Sequence, residues 1–260
     1  MNINIFVVSH KPYKMPKGKI YRPLQVGYGE DIKGFLRDNS GQNISEKNKD
    51  FSELTGLYWI WKNCDSDVKG LVHYRRLFTD GLISFGSKKT KYRKILKEKT
   101  IKEIMLTNDM ILPRKRNYYI QSLYSHYSSN HDPKVLDITR KIIQETSPDY
   151  LSAFDEVING KSAHMFNMFI ARSDIFNSYS EWLFGILFEL EHQLKDETLL
   201  KEEGRIPGYV SEFLMDVWIK VNKPKYQELP VAFIEGQNYL LKGSRMITQK
   251  ILSKVFKRPL

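Results

Sequence analysis

The chain has one cysteine, Cys64, among 260 residues. A lone thiol excludes an internal disulfide and leaves no Cys-rich zinc site, which fits a reducing compartment. No apolar run approaches the roughly 20 residues needed to cross a bilayer. The opening stretch NINIFVV is too short for the apolar part of a secretory signal, and no basic residues precede it. There are no internal repeats, no low-complexity tracts and no nucleic-acid-binding motif. Negative charge is in the minority, with 30 Asp and Glu against 41 Lys and Arg, a net +11. That excess points to anionic partners such as nucleic acid, phosphates or an acidic membrane surface, without choosing among them. What remains is the composition of a soluble globular protein. Its 13% aromatic share suits a core, and equally a pocket that stacks flat rings.

Residues 3–8, INIFVV, form a continuous β-branched and aromatic run, as in a buried strand of a parallel or mixed sheet. SHKPYKMPKGKIYRP then breaks structure repeatedly, LQVGYG is a second extended piece, and a polar loop follows to about residue 49. DFSELTGLYWIWKN predicts a helix, with Asp50 and Glu53 at capping-box spacing. KGLVHY, DMILP, MFNMFIA and LPVAFI read as further strands, and residues 86–104 as a Lys-rich, mostly helical, solvated face. Asp132 and Pro133, then Ser147 and Pro148, open two helices, and Ser173 caps a long one carrying Phe176, Tyr179, Leu183, Ile186, Leu187 and Leu190 on its apolar stripe. Another helix covers about 208–221. Strands alternating with helices, with no evident linker, predict one α/β domain with a central mixed sheet flanked by helices, over residues 1–242. Ligands of such sheets bind outside the carboxyl ends of the strands, so the loops after residues 8, 28, 74 and 112 are expected to form the site.

KGLVHYRRLF places a histidine, a tyrosine and two arginines at the end of a buried strand. Strand alternation puts His73 and Arg75 on one face and Tyr74 and Arg76 on the other. The arginine pair reads either as a diphosphate clamp or as structural ion pairing. Asp65 and Asp67 spell the DxD with which many sugar transferases hold a metal, but they precede their strand, as solvated turn residues do. Asp109 stands upstream of its strand in the same way. His126 and His131, with Asp132, lack a repeating ligand spacing, and Asp132 is explained as a cap. In GYVSEFLMDVWIK, Glu212 reads as a general base at a pocket edge, or else as part of a polar face with an Asp216–Lys220 pair one turn on. The C-terminal KGSRMITQKILSKVFKRPL, residues 243–260, has the pattern of a basic amphipathic helix, lying on an anionic membrane or docked on its own domain.

Seven stretches in order, SHKPYKMP, LQVG, ELTGLYWIWKN, GLVHYRRLF, DMILP, FNMFIARSDIFNSYSEWLFGILFELE and GYVSEFL, resemble the bacterial glycosyltransferases described as the domain-of-unknown-function 4422 family. These occur in capsule, exopolysaccharide and O-antigen synthesis, and relatives include galactofuranosyltransferases. The resemblance spans about residues 3–235 and implies a Rossmann-like, GT-A-like nucleotide-sugar-binding domain. It implies transfer of a sugar, a hexose such as galactofuranose or galactose, from a UDP-linked donor; the acceptor expected is a lipid-linked oligosaccharide, and with Glu212 as the base the transfer is expected to invert. It assigns His10, Lys11, Gln25, Gly27, His73, Tyr74, Arg75 and Arg76 to the donor. Asn167, His131 and Asp132 fall to the acceptor, and Glu212 to catalysis. One departure is Phe213, where the family commonly has Arg. On this reading no cofactor or metal ligand is named, and manganese or magnesium is not expected to be required. Nucleic acid is not an expected partner. The protein is expected in the cytoplasm, peripheral on the inner face of the cell membrane through residues 243–260. The rival readings are a basic module binding RNA or membrane phosphates, and a degenerate transferase that binds sugar without turnover.

Overall fold

The structure is a computed structural model and describes residues 1–81, 87–196 and 204–235. Strand β1 (Ile3–Ser9) is the INIFVV run, and its two faces feed two different cores. Phe6 and Val8 join one core, while Ile3, Ile5 and Val7 join the other. A strand apolar on both faces belongs in the middle of a sheet. Parallel neighbours flank it, β2 (Tyr21–Gln25) on one side and β4 (Val68–His73) on the other, with β3 (Leu36–Arg37) outside β2. Beyond β4 lie β9 (Phe169–Arg172), β6 (Met110–Pro113) and β10 (Tyr226–Leu229). Along this path β9 alone runs against the others. The carboxyl ends of β1, β2, β4 and β6 therefore gather at one end, together with the chain that enters β9.

The first core is covered by α2 (Leu54–Asn63), α6 (Lys134–Thr146), α7 (Leu151–Asn159), α8 (Ser173–Asp196) and α9 (Ile206–Asn222). The apolar stripe read on α8 is buried in full. Gly56 lets α2 approach the sheet, because a Cβ there would stand 2.9 Å from Val8 Cγ1. The opposite face is covered by α4 (Glu98–Ile104) and by the antiparallel pair β5 (Arg76–Phe78) and β11 (Val231–Phe233). Among the described residues no helix is long and apolar enough to cross a membrane.

Several expectations are corrected. The helix expected over DFSELTGLYWIWKN is two helices, α1 (Asn48–Phe51) and α2, broken at Ser52 with φ 51°. Asp50 and Glu53 form no capping box, and Glu53 turns into the site instead. Residues 86–104 carry α3 (Lys88–Arg93) and α4, and Ile101 and Ile104 of α4 are buried, so this stretch is not solvated throughout. Ser147 accepts no capping hydrogen bond. The Asp132 carboxylate does accept the Lys134 amide at 2.9 Å, but the helix begins one residue later than expected. Only the second half of MFNMFIA is strand, since Phe166 and Asn167 have φ of 88° and 48°.

Alternation beyond β4 also fails, because the chain turns. His73 pairs with Arg76 across the β4–β5 hairpin, and residues directly opposite one another share a face. His73 thus goes with Arg76, and Tyr74 with Arg75. Asp216 does not pair with Lys220, which instead reaches Glu156 at 2.5 Å. Burial of Asp216 within α9 aims it at Lys115, at 2.9 Å, and at His164. The C-terminal helix of 243–260, and the boundary at 242, lie outside the described residues.

Candidate active site

The hairpin turn Tyr74–Arg75 divides the charged residues at the carboxyl end of the sheet into two groups. One surrounds Tyr74. The Tyr74 amide donates to Val8 O at 3.1 Å, which holds the turn beside the exit of β1. The next loop residues then pack on its ring, with His10 at 5.6 Å and Tyr13 at 4.6 Å between centroids. Lys11 Nζ and the Arg75 guanidinium lie 5.5 and 5.1 Å from the same ring. Glu235 stands between these two cations at 4.0 and 3.8 Å. Burial, then Lys11 and Arg75, lower the His10 pKa, so at neutral pH this ring adds hydrogen-bonding capacity rather than charge.

Gln25 and Gly27 shape the neighbouring loop. The Gln25 side chain donates to Glu30 O and accepts from the Ile32 amide, at 2.9 and 2.8 Å, so its amide is engaged with backbone. Gly27 has φ 77°, and a Cβ there would lie 2.4 Å from Asn48 Oδ1, so only glycine fits.

The second group surrounds Arg76 and Glu212. Glu212, in the second turn of α9, accepts the Phe166 amide on Oε1 at 3.1 Å. Its Oε2 accepts no hydrogen bond among the described residues. Asn167 ties the parts together, donating to Glu53 Oε1 at 2.9 Å and Gly208 O at 3.0 Å while accepting from Ser211 Oγ at 2.9 Å. The left-handed backbone at Phe166 and Asn167 costs about 1–3 kcal/mol per residue and is typical of functional sites. His73 Nε2 lies 2.6 Å from Phe166 O. A carbonyl can only accept, so Nε2 carries the proton, and burial keeps the ring neutral against the pull of Glu53. The Arg76 guanidinium lies 4.5 Å from the centre of the Phe166 ring. Burial lowers its pKa, opposed by the two carboxylates it faces, Glu212 and Glu53.

Burial and the like charge of Glu53 push the Glu212 carboxyl from 4.5 up to about 7, with the Phe166 amide, Arg76 and Arg116 opposing. At neutral pH Glu212 is therefore a base of matched strength, with one oxygen unengaged among the described residues. Rings rim this group. Arg116 stacks 5.0 Å from Tyr118, Arg205 lies 5.6 Å from Tyr209, and His131 packs on Tyr127 and Tyr209 at 4.8 and 4.5 Å. Asp132 stays at the start of α6, and Phe213 is core.

Sequence reasoning missed Glu53, Arg116, Tyr118, Arg205, Tyr209 and Glu235. Glu53 lies inside the quoted stretch ELTGLYWIWKN, but capping-box spacing disguised it; the others carry no local signal. Among the described residues no group of three or more His, Cys, Asp or Glu is placed to hold a metal ion. Asp65 and Asp67 lie before β4, at the end of the sheet away from the site, where Asp67 accepts the Asn2 amide at 2.6 Å. Asp109 accepts the Lys225 amide at 2.9 Å.

A mostly parallel sheet with carboxylates and arginines at its carboxyl ends belongs to the α/β class that binds ligands there. The chain belongs to the family described as "Domain of unknown function (DUF4422)", whose model matches residues 4–223. Among solved structures it is similar to the apo structure of WbbM, a bifunctional glycosyltransferase, at 29% identity and TM-score 0.81. The match covers 91% of this chain but 46% of that one, so the chain spans about half the length of WbbM. Comparison with curated proteins found no match.

Proposed function

We propose that the protein is a glycosyltransferase that moves a hexose, galactofuranose or galactose, from a UDP-sugar to a lipid-linked oligosaccharide, with inversion. The observation that carries this reading is Glu212, whose pKa is about 7, whose Oε2 accepts no hydrogen bond among the described residues, and whose charge acts on Arg76. The likeness to WbbM and membership of the family support it. In the reaction, Glu212 takes the proton of the acceptor hydroxyl. That oxygen bonds to the anomeric carbon as the bond to the β-phosphate oxygen breaks. UDP leaves with the electron pair.

The growing charge on the diphosphate needs fixed cations. Lys11 and Arg75 supply them on the Tyr74 side. Their contacts with Glu235 are long, and all three side chains are more than a third exposed, so a phosphate displaces that carboxylate at little cost. Asn167 and His131 border the acceptor side, with the Tyr118 and Tyr209 rings available to stack a sugar. Among the described residues no cluster of His, Cys, Asp or Glu is placed to hold a metal ion.

The test is Glu212→Gln, which abolishes transfer while UDP binding stays near wild type; equal loss of both removes Glu212 from the base role. Arg75→Ala weakens UDP binding, and unchanged affinity returns Arg75 to structure. Thermal-shift measurements with UDP, GDP and CMP, each with manganese and with chelator, test the donor. A strict manganese requirement overturns the cationic clamp, and no response to any nucleotide favours a non-enzymatic binding module.

A further inference from the structure

We propose that the turn between β7 (Arg116–Asn117) and α5 (Leu123–Ser128) is a wedge that docks the protein on an anionic lipid bilayer. Tyr119 and Ile120 at its tip are 77% and 71% exposed, and Tyr124 behind them is 36% exposed. Among the described residues no other two sequence neighbours are large, apolar and so exposed. Exposure here comes from a rigid device rather than from loose chain. The Asn117 side chain accepts the Tyr119 amide at 2.8 Å, and the Ile120 amide donates to Tyr118 O at 2.5 Å. Tyr119 is thereby held at φ 50°, a conformation unfavourable for a bulky residue. Both ends of the turn are pinned at 2.8 Å, Tyr118 N to Lys161 O and Leu123 N to Gly160 O.

The charged residues that border this tip in the sequence are all cations. Arg114, Lys115 and Arg116 precede it, and exposed Lys161 flanks it just before β8 (Ser162–Ala163), the strand that pairs with β7. Lys115 is committed to Asp216, but Arg114 and Lys161 make no ion pair among the described residues. Tyr with Ile, flanked by cations, suits the boundary between acyl chains and anionic headgroups. Each such cation near an anionic surface is worth about a fivefold gain in partitioning. A convex tip of three side chains is far below the roughly 800 Å² per partner of a stable protein interface, so a bilayer fits it better than a protein.

This contact does not depend on sugar transfer. Where both hold, the wedge sets Glu212 beside the membrane, since Tyr118 and Arg116 adjoin it. The experiment is flotation of the full chain with vesicles of phosphatidylcholine alone and of phosphatidylcholine with phosphatidylglycerol. Wild type floats with the anionic vesicles only. The double variant Tyr119→Ser with Ile120→Ser lowers partitioning about tenfold with unchanged circular dichroism and UDP binding. The double variant Arg114→Glu with Lys161→Glu loses binding as well. Failure of wild type to float with anionic vesicles overturns the proposal. So does flotation of the Tyr119 and Ile120 variant within about twofold of wild type, which moves the membrane contact elsewhere in the chain.

Discussion

Replacing Glu212 by Gln should stabilise the protein at neutral and alkaline pH while destroying its activity. The substitution keeps an oxygen for the Phe166 amide and removes a charge that burial and Glu53 oppose. The Glu212 pKa rises on folding from 4.5 to about 7. At about 1.4 kcal/mol per pKa unit, keeping the ionised form buried costs about 3 kcal/mol, an upper figure. The sign follows from proton binding. Below pH 4.5 the carboxyl is protonated in both states and costs nothing. As pH rises toward 7 the unfolded chain releases the proton first, so wild-type stability falls; above 7 the loss is complete. Urea unfolding of both proteins between pH 5.5 and 8 measures it. The gap in favour of the variant should widen by about 2 kcal/mol over that range and then level off. A gap that is flat with pH, or that narrows as pH rises, refutes the placement of Glu212 as a buried, charge-opposed base.

Transfer activity should rise through an acid limb near pH 7 as Glu212 ionises, and Glu53→Gln should move that limb to lower pH by removing the neighbouring negative charge; an unmoved pH–rate profile separates the two carboxylates. Gly27→Ala should cost about 1–3 kcal/mol, read by urea unfolding, because its φ is 77° and Asn48 Oδ1 fills the space of a Cβ. His164→Ala should cost about 3 kcal/mol by the same assay, because it removes the ring nitrogen 2.9 Å from the buried Asp216 Oδ1 and leaves only the backbone amide of residue 164 on Oδ2; a loss under about 1 kcal/mol would show that Lys115 and that amide satisfy the carboxylate without the ring.

The central strand, the long helix and the α/β class were legible because their apolar periodicity is local. INIFVV declares a strand buried on both faces, and the Phe176-to-Leu190 stripe declares one helix side. Helix interruptions were less legible. Nothing in DFSELTGLYWIWKN announces a positive φ at Ser52, and spacing alone made Asp50 and Glu53 look like a cap. Asp216 and Lys220 misled in the same way. An i,i+4 spacing says the two residues are neighbours on a helix, not that the helix leaves both in water.

By itself the sequence determined that the chain forms an α/β domain, that HYRR follows a buried strand, and that Glu212 lies on a helix. These follow from period, turn residues and the order of elements. Only the tertiary structure decided which charges meet. The hairpin after His73 puts Arg76, not Arg75, on the face with Glu53 and Glu212, and leaves Arg75 with Tyr74, Lys11 and Glu235. A β-strand sends alternate side chains to opposite faces only while it remains a strand. Residues more than a hundred positions apart, such as Glu53 and Asn167, meet because β9 runs against its neighbours and delivers its entry turn to their carboxyl ends. The Glu212 pKa is decided there too, because burial and a neighbouring charge are properties of packing.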